Sequence, residues 1–250
     1  IGLAIIIAGG LFLAVKTVYE AYEERYIPVT SMVDPFDHAE TILLVGAERA
    51  PKNMNPLLLD GRILLSVDAV RTYIDKNIVW DSKEKKVTIT TKDKVIRMET
   101  EKLQAHINNN PVRLDIPVTE KDGKVYIPIE FLADFYSIEI RYDKTTDLVI
   151  VDYLNRMVQE ARVISEKAAI RSGRSIKKEI LVNVDYGTSM RVFEEYKDWY
   201  KVRLNNGVVG YIQAEDVGVN WVTMIHIPYE PPRDFSWKPK TGKVSLSWHS

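Results

Sequence analysis

The chain has 250 residues, of which 46% are hydrophobic and 28% charged, and its formal net charge is −1. This near-neutral charge gives no electrostatic reason to expect a nucleic-acid partner. Because the chain contains no cysteine, disulfides, thiol nucleophiles and thiolate metal sites are excluded. The composition suits one to three folded domains with an added membrane segment.

The chain opens with an apolar run. Residues 1–15 are all apolar or glycine, and Lys16 ends the run. A full membrane span needs about 20 apolar residues, and since the chain starts at Ile1 rather than Met, we expect the segment to extend further toward the N-terminus. We predict a transmembrane anchor over residues 1–26, with a signal-peptide core or a buried core helix as alternatives. The following flank has no excess of positive charge, which favours a single-pass protein of the cell membrane with the bulk of the chain on the extracellular side.

Residues 27–56 are interpreted as a connector. This stretch carries four prolines, and it contains one apolar run, Ile42-Leu43-Leu44-Val45. We expect that run to add a strand to the next domain. Its acidic residues fit a solvated loop better than a binding cluster; they are Asp34, Asp37 and Glu40.

Residues 57–152 contain one pattern written twice at an offset of 62. Gly61-Arg62-Ile63-Leu64-Leu65 corresponds to Gly123-Lys124-Val125-Tyr126-Ile127, and Trp80-Asp81 corresponds to Tyr142-Asp143 without any gap. Each copy has a Gly turn, a strand, apolar residues at helical spacing and two more short strands. The sequence therefore predicts two β-α-β-β units packed into one α+β domain.

These residues resemble the copper amine oxidase-like N-terminal domain, a stalk module of Firmicute surface proteins. The resemblance rests on the Gly-basic-apolar strand, the helix, Val79-Trp80-Asp81 and Val87-Thr88-Ile89. The family name suggests copper, but His38 and His106 do not pair with another histidine at ligand spacing. We expect a structural spacer with no metal and no cofactor.

Residues 153–161 are predicted to be a short helical linker, and residues 162–218 a small all-β barrel. The stretch 169–173 precedes a turn, and short strands are expected at 189–194, 199–203 and 209–212, with a hairpin turn at Asn205-Asn206-Gly207. The pattern resembles the bacterial SH3-like domain through Ile170-Arg171, Tyr186-Gly187-Thr188 and Trp199-Tyr200-Lys201-Val202-Arg203.

Such domains commonly bind cell-wall peptides, so the resemblance implies a ligand surface of aromatic and cationic side chains. The candidates are Arg171, Tyr196, Trp199, Tyr200 and Tyr211. The alternative is that Trp199 and Tyr211 only pack the interior of the barrel.

Residues 219–250 are interpreted as a Pro-rich linker followed by a strand, Gly242 to Trp248. The order of segments resembles the front of a Firmicute membrane-anchored glycoside hydrolase family 18 protein, in which this strand would begin a truncated (β/α)8 barrel. The catalytic motif of that family is Asp-x-x-Asp-x-Asp-x-Glu. Asp34 and Asp37 begin it, but Ala39 and Thr41 occupy its last two positions, so we expect no catalytic residue within this chain.

The sequence thus predicts an α+β multi-domain protein: the membrane-anchored, non-catalytic stalk and wall-binding part of a bacterial envelope hydrolase. Its partners would be peptidoglycan or a related glycan, and the parent enzyme would act on N-acetylglucosamine polymers such as chitin-like glycan. The alternative is a non-enzymatic surface protein that binds or senses the cell wall.

Overall fold

A computed structural model describes residues 13–19, 21, 28–36, 39–91, 94–154 and 156–224. Within these residues the protein is mostly β, with few and short helices. Two units are present, the stalk unit (residues 42–153) and the barrel unit (residues 156–224). The predicted α+β class overstates the helix content, because the observed helices of the repeat are two turns or shorter.

The stalk unit consists of three sheets around one core. The first has the order β12-β13-β1-β2, with strands Ile138–Asp143, Leu148–Tyr153, Ile42–Val45 and Glu48–Arg49. The second has the order β10-β11-β4-β3, with strands Thr119–Lys121, Lys124–Pro128, Arg62–Ser66 and Leu57–Leu59. The third is a meander, β5 to β9, with strands Val79–Asp81, Lys86–Thr90, Val95–Glu99, Gln104–Ile107 and Asn110–Arg113. The last three strands of the meander were not predicted from the sequence.

The two copies of the repeat have the same order of secondary-structure elements. Each runs strand, helix, strand, strand, as β4-α1-β5-β6 and as β11-α2-β12-β13, where α1 is Val67–Tyr73 and α2 is Ala133–Tyr136. Gly61 and Gly123 open the copies with φ of +75° and +74°, a conformation that favours glycine. Trp80 pairs with Val87, and Tyr142 pairs with Val149, at the same register. Local turn chemistry was therefore duplicated together with the fold.

The two copies pair symmetrically through their first strands. Strand β4 pairs antiparallel with β11, and Leu65 lies opposite Ile127, which is its own equivalent at the offset of 62. Both side chains are fully buried in the stalk core. The repeat therefore closes its core by pairing with itself, as expected when one copy is too small to bury its apolar face.

The helices of the two copies begin differently. Ser66 caps α1, since its Oγ accepts a hydrogen bond from the backbone N–H of Ala69 at 3.1 Å. The equivalent Pro128 offers no such acceptor, and a 3-10 turn, Ile129–Leu132, precedes α2. The capped copy therefore has the longer α-helix.

The predicted strand Ile42–Val45 is confirmed as part of the stalk unit, where it pairs parallel with β13. Both strands are buried on both faces. Leu43 and Val45 point into the stalk core, whereas Ile42 and Leu44 join a second cluster that faces the barrel unit. Continuous apolar runs are typical of strands covered on both faces.

The barrel unit is one seven-stranded antiparallel sheet. Its order is β16-β15-β19-β18-β17-β14-β20, with strands Ile180–Val184, Ala168–Arg171, Val209–Gln213, Trp199–Arg203, Ser189–Glu195, Arg156–Val163 and Val217–Met224. Residues from both ends of this order share one core, among them Val184, Ala161 and Val217, so the sheet curls around it. The predicted hairpin turn before Gly207 is confirmed.

The predicted helical linker at residues 153–161 is wrong. Residues 156–163 form β14, which pairs along its whole length with β20. The long pairing partner lies about 60 residues later in the chain, so tertiary pairing overrides local helix preference there.

Residues 28–36 form a strap that lies along the edge of the barrel unit. Met32 forms a parallel bridge with Ile180, Val33 N–H donates to Ile180 O at 2.9 Å, and Ile180 N–H donates to Ser31 O at 2.9 Å. Phe36, at the end of the strap, packs against the barrel core and the apolar cluster between the units. The expected connector therefore covers the exposed edge of β16.

The predicted transmembrane anchor, residues 1–26, lies outside the described residues except for 13–19 and 21, and the predicted hydrolase strand, residues 242–248, lies wholly outside them. Residues 13–19 are helical and exposed. No helix in the described part of the chain is long and apolar enough to span a bilayer.

Candidate functional site

The five candidate ligand residues all lie in the barrel unit, on opposite faces of its sheet. Strand register places Arg171 opposite Tyr211, Tyr211 opposite Lys201, and Lys201 opposite Glu194. Directly opposed residues share a face, so these four form one row on the outer face. Tyr200 lies opposite the fully buried Ile212 and packs against the barrel core.

Tyr196 forms a half-buried aromatic pair with Tyr211, which belongs to this row. Their ring centroids lie 6.1 Å apart at an interplanar angle of 51°. The guanidinium of Arg174 lies 4.0 Å from the centroid of the Tyr196 ring, within the range of a cation–π contact. We define the aromatic face as Arg174, Tyr196, Trp199, Lys201 and Tyr211. Trp199 belongs to it because it lies opposite Gln213 on the outer side.

Glu194 links the cationic and aromatic parts of this face. Lys201 Nζ donates to Glu194 Oε1 at 2.7 Å, and the hydroxyl of Tyr196 donates to Glu194 Oε2. The hydrogen bonds from Lys201 and Tyr196 lower the pKa of Glu194, and the bond to Glu194 raises the pKa of Tyr196. The carboxylate therefore holds the ammonium group and the phenol ring in place next to each other.

Arg171 is not an exposed cation, contrary to our expectation. Arg171 is only 6% exposed. Its Nη1 donates to Val29 O at 2.8 Å and to Lys178 O at 2.7 Å. Burial lowers the pKa of Arg171. Arg171 ties the strap to the barrel, and the exposed guanidinium on this side belongs to Arg174. The Arg174 position lies in a loop and lacked a motif that could have identified it.

The same sheet face is covered at its other end by the stalk unit. Alternate residues at and before β13 point at the barrel, and we call them the docking face: Thr146, Leu148, Ile150 and Asp152. All four are buried. Thr146 Oγ1 donates to Asn206 O at 3.2 Å, and a Cβ on Gly207 would lie 2.3 Å from Leu148 Cδ1. The hairpin turn therefore fits directly against the docking face.

A buried ion pair ends the docking face. Arg203 donates from Nη1 to Asp152 Oδ1 at 3.0 Å and from Nη2 to Asp152 Oδ2 at 2.6 Å, and Arg191 Nη1 lies 2.6 Å from Asp152 Oδ1. Asp152 and Arg203 are 2% and 3% exposed. Arg203 Nη1 also donates to Gly46 O. Desolvation lowers the pKa of Arg191, and the charge of Asp152 opposes that shift. One carboxylate thus joins two arginines of the barrel to the stalk.

A groove opens where the two units meet, and we call it the junction groove. Its volume is about 510 Å³. The stalk contributes Glu48, Asp152 and Tyr153 among others, and the barrel contributes a second set: Met157, Val158, Gln159, Arg191, Val192, Phe193, Glu194, Lys201 and Trp221. Lys201 and Glu194 belong both to this groove and to the row on the outer face. The two surfaces are therefore contiguous.

The described residues contain no cluster of donors that would suit copper. Within the described ranges, no three side chains of His, Asp or Glu come together in a way that could hold a metal ion. His106 lies on β8 opposite Pro111. No chemical step is therefore assigned to a metal.

Comparison with known families gives two matches. Residues 45–151 match the copper amine oxidase N-terminal domain, and residues 166–218 match the bacterial SH3 domain. These matches cover the stalk unit and most of the barrel unit, and together they are consistent with a cell-wall-associated stalk. No curated protein matches the chain.

Proposed function

We propose that this chain is the wall-binding stalk of a bacterial cell-envelope protein and that the aromatic face binds peptidoglycan. Bacterial SH3 domains commonly bind cell-wall peptidoglycan, and residues 166–218 match that family. The observation that carries the proposal is the contact between the exposed Arg174 and the half-buried Tyr196 beside Tyr211. This contact brings a cation and two aromatic rings together on one side of the barrel unit, as recognition of a ligand with carboxylates and apolar surface requires.

The chemistry of this face suits the stem peptides of the wall. Arg174 and Lys201 supply cations for peptide carboxylates, with charge-assisted hydrogen bonds. The rings of Tyr196 and Tyr211 supply flat apolar surface with polar edges. Glu194 already bonds Lys201 and Tyr196, so the two groups are held in position before a ligand arrives, which reduces the entropy cost of binding.

The stalk unit serves as the spacer in this proposal. Its docking face and the Asp152 ion pair fix the barrel in one orientation, so the wall-binding surface is presented at a set position relative to the stalk. The proposed location is the extracellular side of the cell membrane, held by the apolar run of residues 1–15. Fractionation of cells tests this location: the protein is expected with the membranes, and recovery of the intact chain in the soluble cytosol would contradict it.

The proposal extends to the activity of a longer parent protein that would include this chain. The resemblance of residues 242–248 to the start of a glycoside hydrolase family 18 barrel supports a parent enzyme that cleaves N-acetylglucosamine polymers. The alternative remains a non-enzymatic wall-binding or sensing protein. An Asp-x-x-Asp-x-Asp-x-Glu motif downstream of residue 250 distinguishes the two, since only the enzyme needs the acid and its neighbouring Asp.

The wall-binding proposal is tested by retention on insoluble, purified peptidoglycan. The 250-residue chain is expected to sediment with the wall, and the double variant Arg174→Ala, Tyr196→Ala is expected to lose most of that retention. Tyr186→Ala is the matched control, because Tyr186 is an exposed tyrosine of the same unit that lies in the turn before β17. Equal retention of the double variant and the control would place binding elsewhere, and no retention of the unaltered chain would reject the function.

A further inference from the structure

The junction groove contains an exposed tryptophan. Trp221 is 63% exposed and Met157 is 64% exposed, whereas Trp80 and Trp199 are half-buried. Gln159 lies opposite Trp221 in the β14–β20 pair, and Met157 lies two residues before Gln159. Their side chains therefore share one face. An indole and a thioether exposed side by side on a groove wall are typical of an interaction site.

Four of the five charged side chains that line the groove form ion pairs. Arg191 lies 2.6 Å from Asp152, and Lys201 lies 2.7 Å from Glu194. With Glu48, the lining carries three carboxylates and two cations, and the buried Arg203 behind it also pairs with Asp152. The charges of the groove and its supporting residues therefore balance, which favours a neutral ligand over a polyanion or a polycation. Paired charges instead offer many hydrogen-bond donors and acceptors to a neutral ligand with many polar groups.

We propose that the junction groove binds the glycan strand of the wall as a neutral saccharide, with a sugar ring stacked on Trp221. The flat indole suits the apolar face of a pyranose ring, and Gln159, Glu48 and Lys201 supply polar groups for its hydroxyl and acetamido substituents. The volume of about 510 Å³ lies within the usual range for small-ligand sites, about 300–1,000 Å³. Identifying the saccharide as wall glycan rests on the proposed function.

Both units are needed to form this site. Glu48 and Tyr153 come from the stalk, whereas Trp221 and Lys201 come from the barrel. Because the groove meets the aromatic face at Lys201 and Glu194, the two surfaces can engage the glycan strand and the attached peptide of the same polymer at once. Two linked weak contacts then act as one stronger contact.

The proposal is tested by titrating the 250-residue chain with an N-acetylglucosamine hexamer that carries no peptide, followed by calorimetry and tryptophan fluorescence. Saturable binding is expected. Trp221→Ala should weaken it by at least about tenfold, as when a central aromatic contact of a binding site is removed. Trp221→Phe should retain most of the affinity, and Tyr186→Ala should leave it unchanged. Thermal unfolding of each variant checks that the fold is intact.

The outcomes separate this inference from the proposed function. If the chain sediments with intact peptidoglycan but does not bind the hexamer, the groove is not a saccharide site, although wall binding stands. If the hexamer binds equally to the unaltered chain and to Trp221→Ala, the saccharide lies elsewhere and the proposal is wrong. If the chain binds neither peptidoglycan nor the hexamer, both proposals fail.

Discussion

The third strands of the two repeat copies differ on one face only. In β6 the inward residues are Val87 and Ile89, and in β13 they are Val149 and Val151; all four are fully buried in the stalk core. The outward residues have diverged, from Lys86, Thr88 and Thr90 in the first copy to Leu148, Ile150 and Asp152 in the second. The first set is polar and partly or fully exposed, and the second is buried against the barrel. The inward face, which forms the stalk core, has thus stayed apolar in both copies. Only the copy that packs against the barrel unit has a mostly apolar outward face.

The ion pair at the end of the docking face gives the largest expected effect. Asp152→Asn leaves the buried Arg203 and the partly buried Arg191 without their carboxylate, and breaking a buried pair by removing one partner costs about 3–5 kcal/mol. Denaturant unfolding followed by tryptophan fluorescence measures this loss. An effect below about 1 kcal/mol, the level of a solvated surface pair, would show that Asp152 does not hold the units together.

Exchanging one outward residue between the copies gives the next largest effect. Ile150→Thr removes apolar volume from a side chain that is 1% exposed and places a hydroxyl there, for an expected loss of about 2–4 kcal/mol. Its reciprocal, Thr88→Ile, is the matched control at the equivalent position of the first copy. Since Thr88 is not fully buried, the control should change the free energy of unfolding by less than about 0.5 kcal/mol. Equal losses in both variants would contradict the assignment of one docked and one free copy.

The smallest effect on the free energy of unfolding is expected at Glu194, in the row on the outer face of the barrel unit. Glu194→Gln breaks the exposed bond to Lys201, and such pairs contribute about 0–1 kcal/mol. Because hydrogen bonds lower the folded-state pKa of Glu194 below its usual 4.5, its contribution is present above that pH and is lost as the pH falls through the lowered pKa. Stability curves of the two proteins should therefore converge in acid. A difference that grows below pH 4.5 would contradict this.

Much of the barrel could be predicted from sequence, and its site only in part. The strands around Trp199 and Val209 and the turn before Gly207 follow from alternation and turn chemistry, which are local. Because successive side chains of a strand point to opposite faces, Tyr200 had to lie on the other face from Trp199 and Lys201. This could be predicted from the sequence. The role of Arg171 could not be predicted, since its partner Val29 lies 142 residues away. Trp221 was not predicted as a candidate binding residue, because its strand β20 pairs with a segment that we expected to be a helix.

The sequence by itself determined the repeat, its Gly turns at Gly61 and Gly123 and its inward apolar positions. Each of these depends on backbone conformation or side-chain period within a few residues. Only the tertiary structure decided which outward face became buried, which arginine stays exposed and where a groove opens. Those properties depend on contacts between units, such as Asp152 with Arg203, and a strand pattern shows that a residue points outward without showing what lies there.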